Sequence, residues 1–195
     1  PFDKRAAKAA LGLHPDRKVV LVYGSISPRK GIVELLDTML APECPEGVDV
    51  LIAGRCEPGM SEVLNDATYC SLYERCRVVV LDRYIESGDE SEIFAATDIV
   101  WVAYKDHFTA SGVLVQAARA SCPVIACKEG LIGWQTREYG LGVTINPRDR
   151  TQILSALVKA LEGAVQISRR GNLGATYSEA QDILERALTP ARGTG

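Results

Sequence analysis

Short apolar runs that alternate with stretches of helical spacing constrain this chain more than any other feature. VVLVY (19–23), VDVLIA (48–53), VVVL (78–81), IVWVA (99–103), PVIAC (123–127) and LGVTI (141–145) are each strand-sized. Between them the period changes. Ile32, Leu35, Leu36, Met39 and Leu40 repeat at about 3.6 residues, and Met60, Val63, Leu64 and Ala67 open a second helix. Residues 89–96 form a short helix with acids in its first turn, where the helix dipole favours them. Further helices are expected at 111–120, 134–139, 151–161 and 177–188, with 191–195 a frayed tail. Strands that alternate with helices imply a parallel sheet with crossover connections. The expectation is one α/β domain, a doubly wound parallel sheet of about six strands with helices on both faces. Ligands of such sheets sit outside the carboxyl ends of the strands.

At 195 residues the chain suits one well-buried domain. Its net charge of -3 leaves no basic excess to displace counterions, so a general nucleic-acid binder is excluded, whereas a local site for a small anion is not. No apolar stretch approaches the ~20 residues of a membrane span. The opening PFDKRAAKAALGL lacks the apolar core of a signal peptide, and the first residue is not Met, so an excerpt from a longer protein is expected. Six cysteines without a CxxC pair, and two histidines, argue against zinc; no metal site is expected. Cys122 and Cys127 bracket an apolar strand and read as buried thiols of a reducing, cytoplasmic compartment.

The strand ends carry the candidate site. GSISPRKG (24–31) offers a turn glycine, Gly24, then Ser25, with Arg29 and Lys30 just before a helix start; two cations and free helix N–H groups suit a phosphate. The loop is neither a P-loop nor a dinucleotide fingerprint, and a solvated loop is the alternative. AGRCEPG (53–59) presents Gly54, where a ligand could approach the backbone, and Arg55, an anion partner or a plain surface cation. DRYIESG (82–88) presents Tyr84 and Ile85, which could cover a base or pack on the next helix. Then comes HFTASGVLVQAARASCPVIA (107–126), with no carboxylate in its twenty residues. Thr109, Ser111 and Gly112 suit a helix start that presents backbone N–H groups, and a bound anion there needs no carboxylate. His107 is the one candidate acid or base, against the plainer reading of a structural loop histidine.

In this order GSISPRKG, LIAG, IFAATDIVWVAY, SGVLVQAARASCPVIA and CKEGLIGWQTREYGLGVTINPRD resemble the C-terminal, donor-binding half of GT-B glycosyltransferases of the glycosyl transferases group 1 family. The resemblance covers roughly residues 18–162. It implies a Rossmann-like fold and transfer of a sugar from a nucleotide diphosphate sugar (a UDP- or GDP-sugar) to an acceptor, with no cofactor and no obligatory metal. Lys30 matches the family lysine that meets the diphosphate. The arginine that often follows the glycine is Ser25 here, and Arg29 is expected to compensate. Aligned on the following AxxAxxPVIA, the family's two glutamates, for sugar and ribose, fall on Phe108 and Gln116. Gln116 can still bond ribose hydroxyls as donor and acceptor, whereas Phe108 cannot replace a carboxylate.

Such an enzyme works between two halves, and this chain matches one. Residues 1–17 are therefore expected to be a linker helix arriving from a missing N-terminal acceptor domain of the same protein, with the donor domain at 18–190. Any peripheral membrane association would come through that missing half. The fragment alone is expected to bind nucleotide without catalysing. The alternative is a non-catalytic relative that keeps the fold for binding or scaffolding. A third class, an epimerase- or phosphatase-like α/β enzyme, is disfavoured by the lack of an acidic cluster.

Overall fold

The computed structural model describes residues 3–75 and 77–167. Within them six strands form one parallel sheet: β1 (Lys18–Tyr23), β2 (Val48–Ala53), β3 (Val78–Leu81), β4 (Ile99–Val102), β5 (Val124–Cys127) and β6 (Gly142–Ile145), in the order β3-β2-β1-β4-β5-β6. Eight helices accompany them: α1 (Lys4–Ala10), α2 (Ile32–Met39), α3 (Met60–Leu64), α4 (Cys70–Glu74), α5 (Ser87–Ala96), α6 (Gly112–Arg119), α7 (Gly130–Glu138) and α8 (Arg150–Leu161). This is the doubly wound α/β fold expected.

Two apolar layers explain why the strands read as continuous apolar runs. Val20, Val22, Val50, Ile52 and Trp101 face one layer with Leu35, Leu36 and Leu157, while Val19, Leu21, Leu51, Val100 and Val102 face the other with Phe94, Leu114 and Ile132. Strands covered on both faces have no reason to alternate. Full burial of one such Leu or Ile contributes about 1.5–3 kcal/mol.

Boundaries shift where tertiary contacts decide. The second helix is two short helices, α3 and α4, because the chain turns at Asn65 and Asp66, with Asp66 capping a 3₁₀ turn through the Thr68 N–H (2.8 Å). Helix α7 starts four residues earlier than its periodicity predicts. Helix α1 packs against α5, and the Lys8 ammonium joins the Asp98 carboxylate at 2.6 Å. The helix expected at 177–188 and the tail at 191–195 lie outside the described residues. Cys44, Cys122 and Cys127 are buried free thiols, Cys56 is half-buried and Cys70 exposed. Burial pushes the Cys122 thiol up to about 11, which makes it a packing group rather than a nucleophile.

Candidate functional site

Chain direction reverses between β1 and β4: β1 leads outward to β2, and β4 leads the opposite way to β5. The loops leaving these two strands therefore part, and a crevice opens between their ends. A cleft of about 620 Å³ lies there. Gly24, Ser25, Arg29, Lys30, His107, Ser111, Gly112 and Gln116 line it, joined by Tyr23, Tyr104, Val113 and Arg119.

The first wall is the β1–α2 loop. Gly24 takes φ +89, and its amide bonds the Ala53 carbonyl at 3.0 Å. A Cβ on Gly54 would overlap the Gly24 carbonyl oxygen, and Gly54 itself has φ +145. The missing side chain at Gly54 thus lets two strand ends meet, not a ligand. Arg55 is exposed and outside the cleft; its carbonyl accepts from the Ile26 amide at 2.9 Å and ties the two loops together. Ser25 is exposed and donates to Glu57 at 3.1 Å.

Lys30 ends a 3₁₀ turn (Pro28–Lys30), and the backbone then turns through Gly31 into α2. Its side chain is only 3% exposed. The ammonium donates to the Tyr23 carbonyl and to the Tyr104 hydroxyl (3.2 Å), and lies 4.9 Å from the centre of the Tyr104 ring. Burial and then the neighbouring Arg29 lower its pKa to about 8, against a smaller pull from Glu57. No carboxylate pairs with Lys30, Arg29 or Arg119 among the described residues. The cleft lining contains no Asp or Glu either.

The second wall is the β4–α6 segment. Arg29 reaches His107 Nδ1 at 3.0 Å, and His107 Nε2 lies 3.3 Å from both the Ala110 carbonyl and the Thr109 hydroxyl. Because a guanidinium only donates, Nδ1 accepts and the ring proton sits on Nε2. His107 therefore orients Arg29 and braces its own loop. Ser111 stands at the N-cap of α6 but makes no side-chain cap bond. It bonds Tyr104 instead, whose phenol burial pushes up to about 12. The first turn of α6 is left facing the cleft, with Val113 as close to Gly24 as Lys30 is.

At the far end, Gln116 donates to Glu90 of α5 at 2.9 Å. Burial, then the charge and hydrogen bond of Glu90, raise the Tyr23 phenol to about 12. The remaining sequence candidates lie outside the lining. Ile85 is buried beside Tyr23 and Phe94, so it packs rather than covering a base. Tyr84 is 77% exposed, yet near enough to add to the upward push on Tyr23. Thr109 is exposed, and Phe108 (64% exposed) borders a smaller neighbouring cavity of about 150 Å³. Sequence reasoning missed Tyr23, Tyr104, Arg119 and Glu90. The two tyrosines at strand ends were a usable signal; Glu90 read only as a first-turn acid. Among the described residues, no group of three His, Cys, Asp or Glu side chains could hold a metal, and no helix is long and apolar enough to cross a membrane.

Fold and cleft together define a Rossmann-like α/β domain with a cation-lined crevice at its switch point. The curated relatives that the chain resembles, at 26–29% identity, are D-inositol 3-phosphate glycosyltransferases. It is 26% identical to D-inositol 3-phosphate glycosyltransferase 2 of Catenulispora acidiphila, over 98% of this chain and 48% of that protein. The chain thus spans about half the length of that relative, and 37–40% of the related proteins of Mycobacterium marinum and Segniliparus rotundus. The C-terminal domain of a glycosyl transferase group 1 protein from Francisella tularensis superposes with a TM-score of 0.64 at 16% identity, covering 83% of this chain and 84% of that one. Anabaena HepE, solved with UDP and glucose, superposes with a TM-score of 0.56 at 22% identity, over 95% of this chain and 53% of that one. These two likenesses show the fold. No family model matches the chain.

Proposed function

We propose that this chain is the donor-binding half of a glycosyltransferase that moves a sugar from a nucleotide diphosphate sugar to an acceptor. One observation carries the reading: a cleft at the reversal point of the sheet whose cations have no carboxylate ion-pair partners among the described residues. Lys30 and Arg29 would hold the diphosphate, helped by the N–H groups of the first turn of α6. As the bond to the sugar breaks, negative charge accumulates on the departing diphosphate. Fixed cations and N–H dipoles already aimed there stabilise that charge without reorganising. This chemistry needs no metal ligand from the chain. UDP is the first nucleotide to test, since HepE holds UDP in the same fold. Catalysis would need an acceptor-binding half in the same protein, so the fragment alone should bind without transferring.

Thermal unfolding with UDP, GDP, ADP and their sugars tests this directly. A ligand at about 100 times its Kd stabilises the fold by about 2.7 kcal/mol. One responding nucleotide, with the response lost in Lys30→Ala, is the expected outcome; silence across the panel from folded protein refutes it. The exposed Phe108, where the family resemblance implies a sugar-binding glutamate, favours a second reading, a non-catalytic GT-B-like binding domain. That reading predicts no sugar transfer even when an acceptor half is supplied.

A further inference from the structure

We infer that Glu90 of α5 is the residue that reads the ribose hydroxyls of the nucleotide, with Gln116 and Tyr23 holding its carboxylate in place. The inference rests on the donor-site reading above and extends it to specificity. Glu90 lies outside the cation-lined cleft, in an adjoining space of about 680 Å³ that shares Gln116 and Arg119 with it. The two spaces adjoin, with Lys30 and Arg29 in one, Glu90 in the other, and Gln116 and Arg119 lining both. Tyr23 connects them: its backbone carbonyl accepts from the Lys30 ammonium, and its phenol bonds Glu90. One tyrosine residue therefore touches both charged groups, the ammonium through its backbone and the carboxylate through its phenol.

The chemistry of the carboxylate supports the same ligand. An ionised carboxylate only accepts, at about four lone-pair sites. Gln116 and Tyr23 use two, which leaves acceptors for a pair of adjacent hydroxyls. Gln116 comes from α6 and Tyr23 from β1, so three elements fix the group before a ligand arrives. Helix α5, which carries Glu90, follows directly on the loop bearing the exposed Tyr84.

The test is calorimetric binding of UDP and GDP, and of their 2′-deoxy and 3′-deoxy forms, to wild type, Glu90→Gln, Glu90→Ala and Lys30→Met, each first checked for an intact unfolding transition. A hydrogen bond to a charged group contributes enough that the wild type should prefer the ribose form by at least about tenfold. In both Glu90 variants that preference should fall below about threefold. Lys30→Met should weaken ribose and deoxyribose forms equally and keep the ratio. A wild type that binds nucleotide without a ribose preference overturns the inference, as does a preference that survives in Glu90→Ala. If the wild type binds no nucleotide, the donor-site reading itself fails and this inference with it.

Discussion

The two buried lysines at opposite ends of the sheet, Lys8 and Lys30, are treated in opposite ways. At the amino end, Asp98 accepts from Lys8 (2.6 Å), from Lys4 (3.2 Å) and from the Val19 amide (2.9 Å), and Arg17 reaches the fully buried Asp49 at 3.3 Å. At the carboxyl end, Lys30 is just as buried as Lys8, yet its partners are a carbonyl and a phenol. Burial raises the Asp98 pKa, but Lys8, the Val19 amide and Lys4 outweigh it, so the net direction is down. Burial and Arg29 push Lys30 the other way, toward its neutral form, with little to resist them. A buried ion pair locks structure, whereas a buried cation left unneutralised stores a preference for an anion. That difference, more than any single motif, separates scaffold from site.

The comparison can be broken by mutation, and Asp98→Ala should have the largest effect. Removing one partner of a buried pair leaves the other uncompensated, at a cost of about 3–5 kcal/mol. Urea unfolding checks it, and nucleotide affinity of the protein still folded should hardly change. Asp98 also predicts a pH response. Its folded pKa is depressed, so its stabilisation is complete above the unfolded carboxylate value and is lost as pH falls through the folded one.

Lys30→Met should invert the pattern. It should weaken nucleotide binding by about 10–100-fold, the range for a hydrogen bond to a charged group, while costing less stability than Asp98→Ala. Lys30 also makes two pH trends diverge. With a folded pKa of about 8 against an ordinary 10.5, the unfolded chain holds the proton that the folded one has lost. Stability without ligand should therefore gain from this group as pH rises from about 8 toward 10.5, while anion affinity falls over the same range. Titrations at pH 7 and pH 9, paired with thermal unfolding, check both signs.

Gly54→Ala sharpens the comparison at the level of backbone. Its Cβ would meet the Gly24 carbonyl, so the backbone of Gly24, which lines the cleft beside Lys30, must shift; a stability loss of about 1–3 kcal/mol with weakened binding is expected. Ser25→Ala should do least, because its bond to Glu57 is exposed: under about 0.5 kcal/mol in urea unfolding.

Much of this was readable in the chain, for reasons that differ by element. The strands were legible because both faces are covered, so nearly every position is apolar. Helix α7 was legible only in its second half. Its buried face is Ile132, Gly133, Gln135 and Thr136, of which only Ile132 is a large apolar residue, so the chain shows little apolar period to read. Lys30, Arg29 and Ser111 were found because they lie in loops that follow strand ends, where the doubly wound fold gathers its ligands, and Gln116 through the family resemblance. Gly54 and Ile85 sit at strand ends too, yet they serve packing. Glu90 escaped because its meaning comes from Gln116, twenty-six residues on, across a helix contact that no local pattern announces.

The central claim is that the uncompensated cations between β1 and β4 form a nucleoside diphosphate site. Calorimetric titration of UDP and GDP, each beside its parent nucleoside, against wild type and Lys30→Met tests it most directly. The account predicts that one diphosphate binds the wild type far more tightly than its nucleoside, and that Lys30→Met removes most of the difference. Equal binding of nucleoside and diphosphate, or a difference untouched by Lys30→Met, would contradict it.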